Sequence, residues 1–318
     1  MRIEHPHASE GCGHADAVAV KAMRIEDVTI IGAGPAGLAT ALQLKRFGIT
    51  PLLLERACIG GLLRNADLVV NYPGFPTGVA GPELVRLFGE QAKLASIEIT
   101  YDEVVELTHR YGLFQVKTRQ HLYLSQIVVI ASGTRPITFP DDQVPPDTLG
   151  HIYYEVDSLR DVARKQIVIV GAGDAAFDYA LNLSKRNHVT ILNRSGRIRC
   201  LQLLWKGAIT SPFITYLPNT NISRVSRESD DGLALECETP GGNLRVYAHY
   251  LIGALGREPQ LGFVTANLRK QFAQLQINDF LHVIGDAKNG FFRQTAIAVG
   301  DGILAGMKIY HRLKEAHS

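Results

Sequence analysis

Four cysteines are spread thinly over the 318-residue chain, and no two of them form a Cys-x-x-Cys pair: they are Cys12, Cys58, Cys200 and Cys237. This spacing excludes a zinc knuckle and a disulfide framework. No run of about 18 uncharged apolar residues is present, so a transmembrane helix is not expected. No basic run interleaves with aromatic residues, and the net charge is only +2, which argues against nucleic-acid binding. Without a signal-like apolar segment at the start, the chain is predicted to be cytoplasmic, with no membrane partner.

The composition indicates a globular protein, with 46% hydrophobic and 20% charged residues. A chain of this length usually forms two domains. Residues 1–23 are polar and lack periodicity, so they are predicted to be a flexible extension. His5, His7, Cys12 and His14 could bind a metal there, but they form no fixed site, and no metal is expected.

From residue 27 onwards, short apolar runs alternate with amphipathic segments, a pattern that predicts an α/β fold. The first unit has predicted strands at 27–31, 50–55 and 125–131 and helices at 37–47 and 82–94. Residues 98–107 and 113–118 are predicted to be two strands of a small ladder. The pattern restarts with a strand at 166–170, a helix at 174–184 and a strand at 188–192. A hairpin is expected at 233–238 and 245–248, and a long helix at 295–313. Two βαβ units in one chain indicate two Rossmann-like, three-layer dinucleotide-binding domains.

The first glycine turn has the spacing G-x-G-x-x-G, between a strand and a helix. Its residues are Gly32, Gly34, Pro35, Ala36 and Gly37. Such a turn lets the backbone approach a pyrophosphate, whose charge then faces the N-terminus of the helix. Glu55 closes the next strand, where an acid binds ribose hydroxyls. A plain glycine-rich turn is the alternative, but the strand, helix and acid together favour a dinucleotide site.

The second glycine turn contains Gly171, Gly173, Asp174 and Ala175, with Ala176 at the third motif position. The strand that follows it ends without an acid. Arg194, Ser195 and Arg199 stand there instead, and arginines suit a 2′-phosphate because guanidinium groups bind phosphate through paired charged hydrogen bonds. The sequence therefore predicts NADPH rather than NADH. A solvated surface cluster of arginines is the alternative.

Further motifs extend over residues 24–318 in a characteristic order: Gly60-Gly61, residues 71–75 (Asn-Tyr-Pro-Gly-Phe), Ala131-Ser132-Gly133, Gly256 to Pro259, Gly285-Asp286 and Arg293-Gln294. In this set the chain resembles the low-molecular-weight thioredoxin reductases. The resemblance implies an FAD-binding domain at 24–136 and 262–318, with the NADPH-binding domain inserted at 137–257.

The resemblance also implies roles for individual residues in FAD binding. Asn71 is expected near the isoalloxazine and Asp286 on the ribityl chain, with Arg293 and Gln294 near the pyrimidine edge. Gly61, Gly133 and Gly285 complete the predicted FAD site. An arginine and a helix N-terminus at that edge would stabilise the negative charge of reduced flavin.

One departure from the family pattern concerns the redox-active cysteines. Counted without gaps from Gly171, their positions are occupied by Tyr154 and Asp157. In this respect the chain resembles the thioredoxin-reductase-type ferredoxin–NADP reductases, although we do not expect their C-terminal extension here and the 71–75 loop is closer to that of the thioredoxin reductases. We therefore expect a homodimeric NADPH-dependent flavin oxidoreductase that passes electrons to ferredoxin or flavodoxin. Because the cofactor carries the chemistry, no side chain is expected to be catalytic.

Two other functions stay open at this point. The protein could be a disulfide reductase that uses Cys58 or the thiols of a partner, although a lone cysteine is more often a small packing residue. It could also be a nucleotide-binding redox sensor without turnover. The two intact glycine turns argue against that second alternative.

Overall fold

A computed structural model describes residues 25–229 and 231–315. The predictions for residues 1–23 lie outside this range. Seventeen strands are described: β1 (Ile25–Ile31), β2 (Leu52–Glu55), β3 (Ile99–Tyr101), β4 (Val104–Arg110), β5 (Leu113–Thr118), β6 (Leu122–Ile130), β7 (Thr134–Pro136), β8 (Ile152–Tyr153), β9 (Gln166–Val170), β10 (His188–Leu192), β11 (Ile214–Leu217), β12 (Asn221–Ser229), β13 (Gly232–Thr239), β14 (Gly242–Ala248), β15 (Tyr250–Gly253), β16 (Arg257–Pro259) and β17 (Leu281–Val283). The α-helices are α1 (Pro35–Arg46), α2 (Gly81–Leu94), α3 (Asp174–Leu183), α4 (Gln202–Thr210), α5 (Ala266–Ile277) and α6 (Thr295–Glu315).

The first sheet has the strand order β3-β2-β1-β6-β5-β4, and β17 also pairs with β6. Its strands β1, β2, β3, β6 and β17 pair in parallel, whereas β4 and β5 are antiparallel. One face packs against α1 and α6 through a core that includes Ile30, Leu38 and Ile309. The other face packs against α5 through Phe114, Leu268 and neighbouring apolar side chains. Both faces of the parallel strands are therefore covered, as their continuous apolar sequence requires.

The second sheet is wholly parallel, with the order β11-β10-β9-β15-β8. Helices α3 and α4 cover one face, where Phe177 and Ile191 are buried. The antiparallel sheet β12-β13-β14 covers the other face, where Leu235 and Leu251 are buried. This unit lies in sequence between β7 and β16, which pair with each other. The predicted fold of two Rossmann-like three-layer units, the second inserted in the first, is confirmed.

The domain boundaries at 24–136, 137–257 and 262–318 remain our proposal. It is supported by the hydrophobic clusters, each of which draws its described residues from one unit only. The short β7–β16 pair, where the chain passes twice between the units, marks the connection.

The prediction of a single strand at 98–107 is wrong. The chain pairs with β2 as far as Tyr101 and then turns, so that β4 pairs with β5 instead. Asp102 occupies the turn and is 6% exposed. Its carboxylate lies 3.2 Å from Nδ1 of His121, which is 19 positions further along the chain. The hydrophobic pattern of a short stretch of sequence does not indicate such a contact. Helices α4 and α5 and strand β12 also had no clear signal in the sequence.

Within residues 25–229 and 231–315, no helix is long and apolar enough to span a bilayer.

Candidate cofactor sites

The first glycine turn has the steric requirements that its spacing predicts. Gly32 has a φ of +107°, and a Cβ there would lie 2.5 Å from the carbonyl oxygen of Ala131. A Cβ at Gly37 would lie 1.9 Å from the carbonyl oxygen of Gly32. Gly34, by contrast, has open space where its Cβ would stand. This open side lies at the N-terminus of α1, which begins with Pro35 and has no acid in its first turn. A pyrophosphate fits there, because the free amides and the positive end of the helix favour an anion.

Glu55 stands beside this turn at the end of β2. Its two carboxylate oxygens accept hydrogen bonds from the amides of Ala33, at 2.8 Å, and Ala57, at 3.0 Å. Each oxygen keeps a further lone pair. The carboxylate is thus held in place and can still accept the hydroxyls of a ribose.

The tertiary structure brings together the residues predicted for the flavin edge. Asn71 Nδ2 donates to Gln294 Oε1 over 2.7 Å, although 223 positions separate them. Burial raises the pKa of Asp286, and the charges of Arg293 and Arg257 partly oppose that rise. Helix α6 begins at Thr295, directly after Gln294.

The other three predicted glycines follow strands β2, β6 and β17 of the first sheet. Gly61 follows Gly60, whose amide donates to Ala33 O over 2.9 Å. Gly285 has a φ of +62°, and a Cβ there would lie 2.9 Å from the Cβ of Ala36. Gly133 accepts a hydrogen bond from the Gln260 amide over 2.9 Å. Because these strands pair in parallel, the glycines that follow them lie at the same end of the sheet, where an extended dinucleotide fits.

The second glycine turn repeats this arrangement on the inserted unit. Gly171 has a φ of +152°, and a Cβ there would lie 2.5 Å from Ala254 O, whereas Gly173 again faces open space. Asp174 stands in the first turn of α3, where its charge would oppose a phosphate. Its Oδ1 accepts the Leu201 amide over 2.8 Å, which occupies that oxygen. Ala175 is exposed beside it.

The arginine loop, residues 193–201, lies against this second turn. The amide of Arg199 donates to Ala172 O over 2.9 Å. Ser195 Oγ lies 3.4 Å from Asn193 Oδ1 and accepts the Arg197 amide over 3.3 Å. Both Arg194 and Arg199 are exposed, and among the described residues neither forms an ion pair. Two free guanidinium groups at this turn fit the 2′-phosphate of NADPH.

The sequence did not suggest the surroundings of Tyr154 and Asp157, the positions expected to carry cysteines. Tyr154 packs against a hydrophobic cluster of the inserted unit, whereas Asp157 is part of a polar cluster. Tyr154 OH accepts the Phe139 amide over 3.1 Å. The carboxylate of Asp157 lies 3.3 Å from Arg64 Nη2. Between them, Glu155 binds Arg257 and Asn65. The only feature of the sequence that could have indicated these residues is their position near predicted motifs. Arg257 directly follows Gly256, and Asn65 stands four residues after Gly61.

The three described cysteines are all free. Burial raises the pKa of Cys237 to about 11. Burial, and then the charge of Asp174, raises the pKa of Cys200. Cys58 is half-buried and contacts Arg64, whose Nη1 lies 2.5 Å from its sulfur.

Two dinucleotide sites on one chain of this topology define a flavoprotein oxidoreductase with two nucleotide-binding domains. The sequence profile of the pyridine nucleotide-disulphide oxidoreductases matches residues 26–302. The chain belongs to this family, and it is an FAD- and NADPH-dependent oxidoreductase of thioredoxin reductase type.

Similar proteins extend over nearly the whole chain. The thioredoxin reductase of Bacillus subtilis (strain 168) is 28% identical over 309 residues, which cover 92% of this chain and 96% of that protein. The solved thioredoxin reductase of Lactococcus lactis, in its FR conformation, has a TM-score of 0.79 at 24% identity, covering 91% of this chain and 99% of the other. A bacillithiol disulfide reductase from Bacillus cereus has a TM-score of 0.71 at 18% identity, covering 91% and 100%. These two structures show the fold alone.

The comparisons confirm the predicted resemblance, FAD and NADPH. The roles of individual site residues stay predictions that the geometry supports.

Proposed function

We propose that the protein takes electrons from NADPH and passes them, through FAD, directly to an external one-electron carrier such as ferredoxin or flavodoxin. When bound, the flavin supplies the redox chemistry, because it can be reduced by two electrons and release them one at a time. One NADPH would then reduce two molecules of carrier, and no protein thiol would change its redox state.

The observation that carries this proposal is the structure around the expected cysteine positions. Tyr154 and Asp157 are bound in hydrogen bonds and an ion pair. Neither side chain can form a disulfide or carry electrons from flavin to a partner disulfide. A dithiol relay would need two cysteines in this segment, and the side chains there make structural contacts instead.

The side chains at the flavin edge support the same proposal. Arg293 and the N-terminus of α6 place positive charge beside Asn71 and Gln294. Positive charge there stabilises the anion that forms when a flavin is reduced. Arg293 is held by a hydrogen bond from its Nε to Gly290 O.

A steady-state comparison of acceptors tests the proposal. Purified enzyme with NADPH is assayed against ferredoxin, flavodoxin, oxidised thioredoxin and a small quinone. We expect ferredoxin or flavodoxin to be reduced with a kcat/KM at least about tenfold above that for thioredoxin. Thioredoxin as the best acceptor would contradict the proposal.

The second candidate is a disulfide reductase that uses Cys58. A specific contact favours it, because the sulfur of Cys58 lies against the guanidinium of Arg64. The names of the curated relatives, which are thioredoxin reductases, also support it. A Cys58→Ser variant distinguishes the two candidates.

A further inference from the structure

A set of polar contacts joins the FAD-binding unit to the NADPH-binding unit, and we name it the interdomain strut. Its members are Arg64, Asn65 and Asp67 from the first unit and Glu155, Asp157, Asp178, Tyr179 and Lys185 from the second, with Thr134 and Arg257 from the β7–β16 pair. The sequence motifs do not include Asn65, Glu155 or Tyr179.

Asn65 is a buried member of the strut, with only 6% of its surface exposed. Its Nδ2 donates to Glu155 Oε2 over 2.6 Å, and its Oδ1 accepts the amide of Asp157 over 3.1 Å. The amide group therefore binds two partners from the other unit at once. Replacing it would leave a carboxylate and a backbone N–H without these partners inside the interface.

Glu155 is the member on which the contacts converge. Its Oε1 accepts Arg257 Nη1 over 2.5 Å, and its Oε2 also lies 3.3 Å from the Tyr179 hydroxyl, which donates. Arg257 in turn donates to the side-chain and backbone oxygens of Thr134, over 2.8 and 3.0 Å. The β7–β16 connection is thus tied to the segment between β8 and β9.

Helix α3 is held at two further points. Lys185, just beyond its end, donates to both carboxylate oxygens of Asp67 over 2.6 and 2.7 Å. Asp178 accepts a hydrogen bond from the backbone of Asp67. The helix whose N-terminus forms the predicted NADPH turn is therefore fastened to the FAD-binding unit along its middle and its end.

Among the described residues, apolar packing does not hold the two units together. Each hydrophobic cluster of the described residues stays within one unit. Units joined by two short strands and a polar interface are free to move unless specific contacts hold them. The strut also reaches the flavin edge, since the charge of Arg257 acts on Asp286 and its carbonyl oxygen lies 3.5 Å from Arg293 Nη2.

We propose that Asn65 and Glu155 are positioning residues for the reaction between NADPH and flavin: they hold α3, and with it the NADPH turn, in the orientation used for hydride transfer. The segment that would carry two cysteines in a dithiol enzyme serves here as a structural support. The inference concerns the reductive half-reaction only, so it does not depend on which acceptor takes the electrons.

The test compares Asn65→Asp and Glu155→Gln with the wild-type holoenzyme, without any acceptor. Asn65→Asp keeps the size of the side chain but replaces its donor by a second carboxylate facing Glu155. We expect NADPH to reduce the flavin roughly tenfold or more slowly in Asn65→Asp, and several-fold more slowly in Glu155→Gln, as measured anaerobically by stopped-flow. Reduction by dithionite, which needs no NADPH site, should keep its wild-type rate.

A second readout is independent of activity. Amide hydrogen exchange of the FAD-loaded protein should become faster in β7, in β16 and over residues 152–160, because the units separate more often. Glu103→Gln is the matched control. It breaks the exposed Arg119–Glu103 contact of 2.6 Å, which lies within the FAD-binding unit and is no contact of the strut, so both readouts should stay at wild-type values.

Four results would overturn the proposal: wild-type reduction by NADPH in both variants, unchanged exchange, faster reduction by NADPH, or an equal slowing with dithionite. The last would show damage to the flavin site rather than lost orientation. If Asn65→Asp does not retain FAD, Glu155→Gln decides by the same two readouts.

Discussion

The arginines of the 193–201 loop illustrate what a single residue type contributes. In the sequence, 2′-phosphate binding was predicted because arginines replace the acid expected at the end of a strand. A solvated cluster of surface arginines was the alternative. The backbone contact of Arg199 with Ala172 now places the loop beside the second glycine turn. This position of the loop supports our prediction that its arginines bind the 2′-phosphate of a nucleotide.

We expect Arg194→Ala to weaken the binding of NADPH by tenfold or more and to leave the binding of NADH nearly unchanged. A charged hydrogen bond to phosphate contributes roughly 1.5–3 kcal/mol, and NADH has no phosphate there. Stopped-flow reduction of the flavin over a range of nucleotide concentrations measures both dissociation constants. Arg245→Ala, which removes an exposed arginine of β14 instead, is the control. Equal losses for the two nucleotides would argue against a role in 2′-phosphate binding.

At the scale of one element, the β1–α1 turn separates two uses of glycine. Gly37 has no room for a side chain, because its Cβ would lie 1.9 Å from a backbone oxygen. Gly34 has room for one, because nothing lies within 4 Å of its Cβ position. Gly37 is therefore required by the packing of the fold, whereas Gly34 leaves space for a ligand.

We therefore expect Gly37→Ala and Gly34→Ala to fail in different ways. Gly37→Ala should lower the stability of the FAD-free protein by about 1–3 kcal/mol or more, since overpacked backbone must shift. Gly34→Ala should leave that stability within about 1 kcal/mol of wild type but weaken FAD retention, because the added methyl group occupies the pyrophosphate space. Urea unfolding of apoprotein and the flavin content after gel filtration provide the two measurements. Full FAD retention in a folded Gly34→Ala variant would contradict the assignment.

Helix α3 carries a second element-scale feature, the acid Asp178 at the domain interface. Burial raises its pKa to about 6; the Asp67 backbone opposes the rise and the Asp67 charge adds to it. The folded protein thus binds this proton more tightly than the unfolded chain, whose aspartates titrate near 3.9. Ionised Asp178 therefore destabilises the fold, by an amount that grows as the pH rises from about 4 to about 6.

Because ionised Asp178 destabilises the fold, we expect Asp178→Asn to stabilise the protein at pH 8 by up to about 3 kcal/mol, and by less at pH 5. Asparagine keeps an oxygen that can accept the Asp67 amide. Urea denaturation of wild type and variant at both pH values provides the measurement. A gain that is larger at pH 5 than at pH 8 would show that the interface does not disfavour the charge.

At the scale of the whole molecule, the route of the electrons depends on where the thiols lie. Cys200 and Cys237 have raised pKa values, which disfavour thiolates, and they belong to different hydrophobic clusters of the inserted unit. Of the three cysteines that the structure describes, only Cys58 contacts a cation, the guanidinium of Arg64. The three described thiols therefore form no relay.

We expect Cys58→Ser to keep NADPH–ferricyanide and NADPH–ferredoxin turnover within a few-fold of wild type, and alkylation of the native enzyme to have a similarly small effect. The paired measurement is flavin reduction by NADPH in the same variant. If that reduction persists while turnover with the physiological carrier is lost, a thiol lies on the electron path. Such a result would favour the disulfide-reductase candidate.

Much of this protein could be predicted from the sequence because the signals are local. A glycine turn, the strand before it and the helix after it lie within about 15 residues. Their physical requirements, positive φ and free amides at a helix N-terminus, act within that span. The two glycine turns, their order and the α/β class therefore follow from the sequence alone, and so does the absence of two neighbouring cysteines.

Only the tertiary structure decided which distant residues meet. Asn71 and Gln294 are 223 positions apart, and Glu155 contacts Asn65 and Arg257 at separations of 90 and 102. The break between β3 and β4 likewise coincides with a contact between the buried Asp102 and the exposed His121, which are 19 positions apart. Such pairs leave no periodicity, because a hydrogen bond depends on where two side chains lie in space. The segment at 154–157 could be described from the sequence only by the cysteines it lacks, whereas folding made it a support between two domains.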